Sequence, residues 1–305
     1  MSILMVGSVA LDTVETPCGK VEDGLGGSAV HASLAASHLA PVEVVGVVGS
    51  DFPKRHIKLL EKAGIGTQGL EIVKGGCTFR WGGRYFTDIN QRETLFTELG
   101  CFETFRPKVP PTLARLPYVF LANIDPVLQL QVLDQCKKPK LVMLDTMNLW
   151  IDIRREALIE TLRRVDVVLL NDEEARQLAD VISLEKAAKI ILNYGVKRVI
   201  IKKGEHGAIM FSSKGFFAAP GLPLGRVVDP TGAGDTFAGG LIGYLARTGA
   251  TDEKAMRQAM LVGTALASCC VEDFSVRRVS KLKKEDFRKR LKMATSAIAC
   301  PAFRV

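Results

Sequence analysis

The sequence predicts an α/β fold, in which one large, mostly parallel β-sheet carries helices on both faces and a small β-sheet is inserted into it. Three observations lead there. Apolar runs such as "ILMVGSVA" and "VEVVGVVG" lack polar alternation, as strands buried on both faces do. Segments of helical spacing alternate with such runs, which is the order of parallel βα units. Between residues 66 and 100 that rhythm stops and short strand-like runs replace it.

The opening strand leads into the Ala-rich helical stretch "GGSAVHASLAASHLA", and "VEVVGVVG" leads into the helix "DFPKRHIKLLEKAG", stopped by Gly64. "LEIVK", "TFRWGGRYF" and "RETLFTEL", punctuated by glycine pairs and "DINQ", predict a small antiparallel sheet over 66–100, joined by part of 12–25. Its aromatic residues Phe79, Trp81, Tyr85 and Phe86 suit a lid or a homodimer face. The rhythm resumes with strand "YVFLANI" and helix "PVLQLQVLDQCKK", then strand "KLVMLDT" and helix "IRREALIETLRRV". Strand "DVVLLN" with helix "DEEARQLA" comes next, and helix "SLEKAAKIILNYG" precedes strand "RVIIKKG" and the hairpin "GAIMFSSKGFFAAP". A glycine-rich helix and the helix "DEKAMRQAMLVGTALASCCV" complete the body. No repeat or low-complexity linker divides the chain, so residues 1–305 read as one domain.

Composition narrows the setting. A chain that is 47% hydrophobic suits a folded globule rather than a disordered segment. No apolar run reaches the ~18 residues of a membrane span, and the start lacks the basic region of a secretory signal. The seven cysteines (Cys18, Cys77, Cys101, Cys136, Cys269, Cys270 and Cys300) are scattered and without a C-x-x-C pair. That argues against a disulfide framework or zinc site and for a reducing cytoplasm. The net charge of +8 is concentrated in residues 277–292, where nine Lys or Arg stand against Glu285 and Asp286. One solvated basic face of a terminal helix is the favoured reading, ahead of a nucleic-acid surface.

In open parallel sheets, ligands bind beyond the carboxyl ends of the strands. Asp12, Asn123, Asp125, Asp145, Asn148, Asn171, Glu174, Lys202 and Gly204 all follow predicted strands at that edge. Any one of them also serves as a cap or turn, and Asn171 before "DEEARQLA" is a good N-cap. The stretch "DPTGAGDTFAGG" adds chemistry. Gly232 and Gly234 remove side chains so that backbone N–H groups can close on an anion where a helix begins. Asp235, in that first turn, is placed to take a proton as a hydroxyl attacks a phosphoryl group. Tight helix packing through Gly239, Gly240 and Gly243 is the structural use of the same residues. No G-K-[S/T] follows, so the stretch is not a Walker A loop, and it lacks the dinucleotide fingerprint.

These residues resemble the C-terminal signature of the ribokinase-like, or PfkB, family of carbohydrate and nucleoside kinases. "GSVALD", "GGSAVHASLA", "GVVGSD", "NDEE" and "IIKKGEHGA" support the resemblance in family order, to about residue 295. It implies a three-layer αβα sandwich with a β lid, and a kinase that uses Mg²⁺ and ATP. Asp235 would then be the base, with Gly232, Ala233 and Gly234 forming the anion hole. Asp12, Gly26, Gly27 and His31 would serve the acceptor substrate, and the lid offers Arg80 and Arg84 beside its stacking rings. Asn171, Lys202 and Gly204 would serve the nucleotide, with residues 263–275 flanking the adenine. Asn171 and Glu174 would position Mg²⁺ largely through water, and Asp229 and Thr231 match a K⁺ site of some relatives. His31 departs from the family, many of whose sugar kinases have Asn there; an imidazole cannot both donate and accept as a carboxamide does. A sugar acceptor is the first expectation, a nucleoside the alternative, and a non-catalytic ligand sensor a third.

Overall fold

The computed structural model describes residues 1–299; Cys300 lies outside the described residues. The chain opens with β1 (Ile3–Val6), β2 (Ala10–Thr16) and β3 (Gly19–Gly26), then α1 (Ser28–Ser37), β4 (Val42–Gly49), α2 (Lys54–Lys62) and β5 (Ile65–Val73). The hairpin β6 (Arg80–Tyr85) and β7 (Arg92–Glu98) precedes β8 (Tyr118–Leu121), α3 (Pro126–Gln135) and β9 (Leu141–Asp145). Next come α4 (Asn148–Ile153), α5 (Arg155–Leu162), β10 (Val167–Asn171), α6 (Asp172–Ala179), α7 (Leu184–Asn193) and β11 (Arg198–Lys202). A second hairpin, β12 (Ala208–Ser212) and β13 (Gly215–Ala219), leads to α8 (Ala233–Thr248), α9 (Glu253–Cys270), α10 (Arg277–Ser280) and α11 (Lys284–Ser296).

Among the described residues, nine strands form one sheet in the order β13-β12-β11-β10-β9-β8-β1-β4-β5. It is parallel from β11 to β5, with β12 and β13 antiparallel at one edge. Strand order reverses beside β1, where β4 and β5 extend one way and β8 to β11 the other, so a crevice opens at the carboxyl ends there. The unbroken apolar runs are explained by burial on both faces. Ile3 and Met5 enter the core layer covered by α1, α8 and α9, while Leu4 and Val6 enter the layer covered by α3 to α7.

The inserted sheet departs from expectation in extent and type. Its order is β3-β2-β6-β7, with β2 parallel to β6 and the other pairs antiparallel. "LEIVK" does not belong to it, because β5 pairs with β4 from Val42↔Ile65 to Gly49↔Val73 and closes the large sheet. The physical reason is the crossover: α2 returns the chain beside β4 as a parallel neighbour. As an edge strand β5 is only partly covered, and so its polar positions imitate an exposed sheet. The lid therefore starts at Arg80 and takes its other two strands from residues 10–26.

The basic segment also differs from one continuous helix, since it divides into α10 and α11. Arg278 pairs with Glu272 and Asp286, and Arg290 also pairs with Glu272, tying this end to the body. Arg277, Lys281, Lys283, Lys284, Arg288, Lys289 and Lys292 remain exposed, as a solvated face requires.

Helix α8 lies against α1 at the distance its glycines allow. A Cβ at Gly239 would collide with the carbonyl oxygen of Ala32. Gly239→Ala is expected to lower stability by ~1–3 kcal/mol through overpacking, read from the urea midpoint. Gly225→Ala, where a Cβ meets open space, is expected to stay within ~0.5 kcal/mol.

Candidate active site

The sequence "DPTGAGD" folds so that α8 begins directly over the crevice. Gly232 is its N-cap with φ 74°, in the left-handed region, and a Cβ there would strike the ring of His31. Glycine is thus required twice, for backbone conformation and for close approach. The Ala233 N–H turns back to the Pro230 carbonyl at 3.2 Å. The preceding loop is held by Asp229, whose carboxylate accepts from the N–H groups of Thr231 and Ser275, each at 2.9 Å. Thr231 lies 3.3 Å from the lid's Tyr85 hydroxyl. These partners give Asp229 and Thr231 visible work in closing the loop.

Asp235 lies in the first turn of α8. Its pKa is pushed up to about 8, first by burial and then by the charge of Asp145, with Lys202 pulling the other way. In its ionised form such a carboxylate is a stronger base than an ordinary aspartate. Asp12, 7% exposed on β2, is raised to about 7, mainly by burial. Its carboxylate accepts from the Gly27 N–H at 3.4 Å and lies where a Cβ of Gly26 would be. The glycine pair is therefore the floor on which this carboxyl rests. His31 is 3% exposed and neither ring nitrogen has a partner. Burial pushes its pKa down to about 4, so the imidazole is neutral.

Asn171 and Glu174 form a reciprocal capping box: each side chain accepts the other's backbone N–H at 2.7 Å. The cap reading of "NDEE" is thus observed, and the cap fixes the Glu174 side chain in place. The Glu174 carboxyl is raised to about 7, chiefly by burial, against the pull of Lys202. Lys202 ends β11 and bridges to both Asp145 oxygens, at 2.6 and 2.9 Å. Beside it opens a cavity of about 630 Å³ whose lining includes Gly204, Ala233, Gly234, Thr264 and Ser268. Thr264, Ala267, Ser268 and Val271 of the 263–275 segment line this cavity.

Other edge residues do different work. Asn123 accepts from the Trp150 indole at 2.9 Å, Asp125 caps α3, and Asn148 begins α4. Arg80 differs most from expectation, because its guanidinium is shared between Asp23 of the lid and Asp51 of the body. Its charge is spent on those two carboxylates. Arg84 is similarly engaged by Glu15 and Glu93. Arg92 was not singled out by sequence, yet it stacks over Trp81 at 5.3 Å and its charge is felt at Glu174 and Tyr85. No spacing in "RETLFTEL" marks it; only the hairpin geometry does.

The residues fit a nucleotide with Mg²⁺. Asp145, Glu174 and Asp235 outnumber the Lys202 ammonium, which favours added cationic charge. Among the described residues no group of three His, Cys, Asp or Glu has metal-holding geometry. Mg²⁺ would then keep mostly phosphate and water oxygens, its usual preference.

Residues 119–282 match the family described as pfkB family carbohydrate kinase. The chain belongs to the pfkB family. It is 31% identical over 252 residues to the cytidine kinase of Thermococcus kodakarensis, covering 80% of this chain and 88% of that one. The fold is that of aminoimidazole riboside kinase from Salmonella enterica, solved with aminoimidazole riboside and an ATP analog (TM-score 0.77, 18% identity, 95% and 100% of the chains). It is equally that of a putative ribokinase II from E. coli in complex with ATP and Mg²⁺ (TM-score 0.77, 18% identity, 95% and 99%). The protein is thus a pfkB-family phosphotransferase acting on hydroxyl groups of sugars or nucleosides. No helix among its described residues is long and apolar enough to cross a membrane.

The Asp229 hydrogen bonds predict a structural cost in this enzyme. Asp229→Ala leaves the Thr231 and Ser275 N–H groups without their acceptor and is expected to lose ~1–3 kcal/mol per unsatisfied buried donor. Asp229→Asn, which retains one acceptor oxygen, is expected to lose less, by urea denaturation.

Proposed function

We propose that this pfkB-family enzyme transfers the γ-phosphoryl group of ATP to a hydroxyl of a nucleoside. The sequence alone favoured a sugar acceptor; similarity to a cytidine kinase over most of both chains favours the alternative. The lid meets the body through an apolar cluster of Val14, Val21, Tyr85, Val228 and Phe274, with Trp81 packed against it.

The phosphotransferase reading rests on one observation, the half-buried Asp235 carboxyl in the first turn of α8, raised in pKa beside Asp145 and Lys202. In the proposed reaction the acceptor hydroxyl lies within reach of Asp12, neutral His31 and Asp235. Asp235 removes the hydroxyl proton as the oxygen attacks the phosphoryl group. With the Ala233 N–H turned to Pro230, the N–H groups of Gly232 and Gly234 would meet the charge that develops on the phosphoryl oxygens. Mg²⁺, when bound, would neutralise donor phosphate charge near Glu174. The lid covers the crevice and excludes water as a competing acceptor. The same buried crevice without proton transfer would suit a ligand sensor, and turnover separates the two.

A panel of cytidine, adenosine, inosine, ribose and fructose with coupled ADP detection tests the acceptor. Turnover of a nucleoside supports the proposal; turnover confined to ribose or fructose restores the sugar reading, and none at all favours a sensor. Asp235→Asn is expected to lower kcat by ~10²–10⁴-fold while leaving nucleotide affinity intact. A base must be deprotonated to act, so kcat/KM rises with pH through the Asp235 pKa. Burial places that acid limb near 8 rather than at the ordinary 3.8, and a pH–rate profile checks it. His31, neutral above about 4, adds no limb between pH 5 and 9.

A further inference from the structure

The two legs of the β6–β7 hairpin come together where they join the body, and each carries a cysteine there. Continued three residues beyond the pair Arg80↔Glu98, the β6–β7 register sets Cys77 opposite Cys101. Backbone contact reaches that point, since the Cys101 N–H donates to the Cys77 carbonyl at 2.8 Å. A Cβ at Gly100, whose φ of 53° is left-handed, would strike the same carbonyl oxygen, so the legs touch directly. Opposite Cα atoms of a hydrogen-bonded antiparallel pair stand about 5.5 Å apart, inside the ~4.4–6.8 Å that a disulfide spans.

The residues beside the two cysteines are held as well. Asp51 accepts from the N–H and the hydroxyl of Thr78, next to Cys77, at 2.8 and 2.6 Å. The ring of Phe102, next to Cys101, stacks on Phe79 with centroids 5.4 Å apart. Both thiols are free, and their surroundings differ: Cys77 is exposed, whereas Cys101 is 9% exposed. Burial pushes the Cys101 thiol up, and the charges of Asp51 and Cys77 add to that effect. Cys101 therefore stays protonated and shielded from solvent oxidants, while Cys77 meets them first. Elsewhere, Cys269 and Cys270 adjoin on α9, where successive side chains do not face each other. Cys18, also exposed, is engaged with the Val227 carbonyl at 3.4 Å.

We propose that Cys77 and Cys101 are an oxidative modification site, closing a reversible disulfide across the base of the β6–β7 hairpin and so restraining the lid. The oxidant is a peroxide. The Cys77 sulfur attacks one peroxide oxygen, the O–O bond breaks, and a sulfenic acid and water result. The Cys101 sulfur then attacks the Cys77 sulfur, the S–O bond breaks, and the Cys101 proton leaves with the hydroxide as a second water. Two thiols thus lose two electrons, which reduce one peroxide to two waters; a dithiol reductant reverses the change by exchange. Scattered cysteines argue against a structural disulfide framework, and a bond that forms only on oxidation is not one. The segment it encloses holds Arg80, Tyr85 and Arg92, so the restraint falls on the part of the lid that meets Thr231. Its consequence for turnover rests on the kinase reading, but the bond and the restraint do not.

The test uses the full chain, reduced, freed of reductant and treated with hydrogen peroxide. Peptide mapping by mass spectrometry without reduction should find Cys77 linked to Cys101, with the link lost on adding dithiothreitol. In Cys101→Ser the reaction should stop at the Cys77 sulfenic acid, giving at least ~10-fold more dimedone adduct there than in wild type. Amide hydrogen exchange in β6 and β7 should slow at least ~3-fold in the oxidised wild type and stay unchanged in treated Cys101→Ser. Equal dimedone labelling of Cys77 in wild type and Cys101→Ser overturns the proposal, as does a link from Cys77 to any other cysteine or to a second chain. A Cys77–Cys101 link that leaves hairpin exchange unaltered overturns the restraint on the lid. The peptide map of wild type decides the pairing even where Cys101→Ser fails to fold, and Cys101→Ala then replaces it. None of these readouts requires turnover, so failure of the enzyme to phosphorylate any acceptor would overturn the kinase reading and leave the disulfide standing.

Discussion

The Lys202–Asp145 ion pair is the interaction on which the electrostatics of the crevice depend. Asp12, Asp145, Glu174, Asp229 and Asp235 are all carboxyls whose ionised forms are disfavoured first by burial. Lys202 acts on three of them at once, lowering the cost of charge at Asp145, Glu174 and Asp235. A buried pair of this kind is weak evidence for stability, because desolvation offsets much of the attraction, whereas losing one partner costs ~3–5 kcal/mol. Beside the head of α8, its effect is to set how much charge the neighbouring carboxyls carry. The surplus of carboxyls over ammonium also explains why a nucleotide accompanied by a cation is a better guest than a bare polyanion.

The backbone supplies the complementary half. Glycines at the start of α8 let it approach His31, and glycines further along let it approach α1. One helix therefore carries two constraints: its packed length fixes where its first turn lies, and the first turn carries Asp235. Helix–helix packing explains the later glycines of "TGAGDTFAGG", and the anion binding proposed for its first turn would be a second use of the same element. The packing end makes the chemical end rigid, which is what preorganised hydrogen-bond donors require.

Much of this was legible in the sequence, for physical reasons. Parallel strands buried on both faces leave apolar runs, and a glycine-rich helix start leaves a compositional mark. Asp12, Glu174, Lys202 and Asp235 could be placed at one edge because each follows a strand or opens a helix. What could not be read was anything set by register or partnership. Strand β5 was assigned to the lid because a half-covered edge strand has the composition of an exposed one. Arg80 was expected at the substrate because a lid arginine and a hinge arginine look alike until Asp23 and Asp51 are seen beside it. Asn123 and Asp125 satisfied the edge criterion yet serve an indole and a helix cap. The pairing of Lys202 with Asp145 spans 57 residues and depends on the order β9-β10-β11, which no local pattern encodes.

The lid shows why such non-local geometry bears on function. Its strands are borrowed from both ends of the N-terminal half, and Arg80 fastens them to the body through Asp51. From that ion pair the β6–β7 hairpin extends along the crevice. Tyr85 meets Thr231, Arg92 acts on Glu174, and Asn90 lies 2.9 Å from the Cβ position of Gly204, on the wall of the donor cavity. A cover over the acceptor alone would have no reason to touch the donor wall. Because one hairpin spans both sides, occupation of either side alters the surface on which the hairpin settles. In the proposed reaction a hairpin that touches both sides would be best ordered with donor and acceptor both bound, which would limit phosphoryl transfer to water. Strand β7, its outer strand, is exposed along its whole length and is held through its pairing with β6.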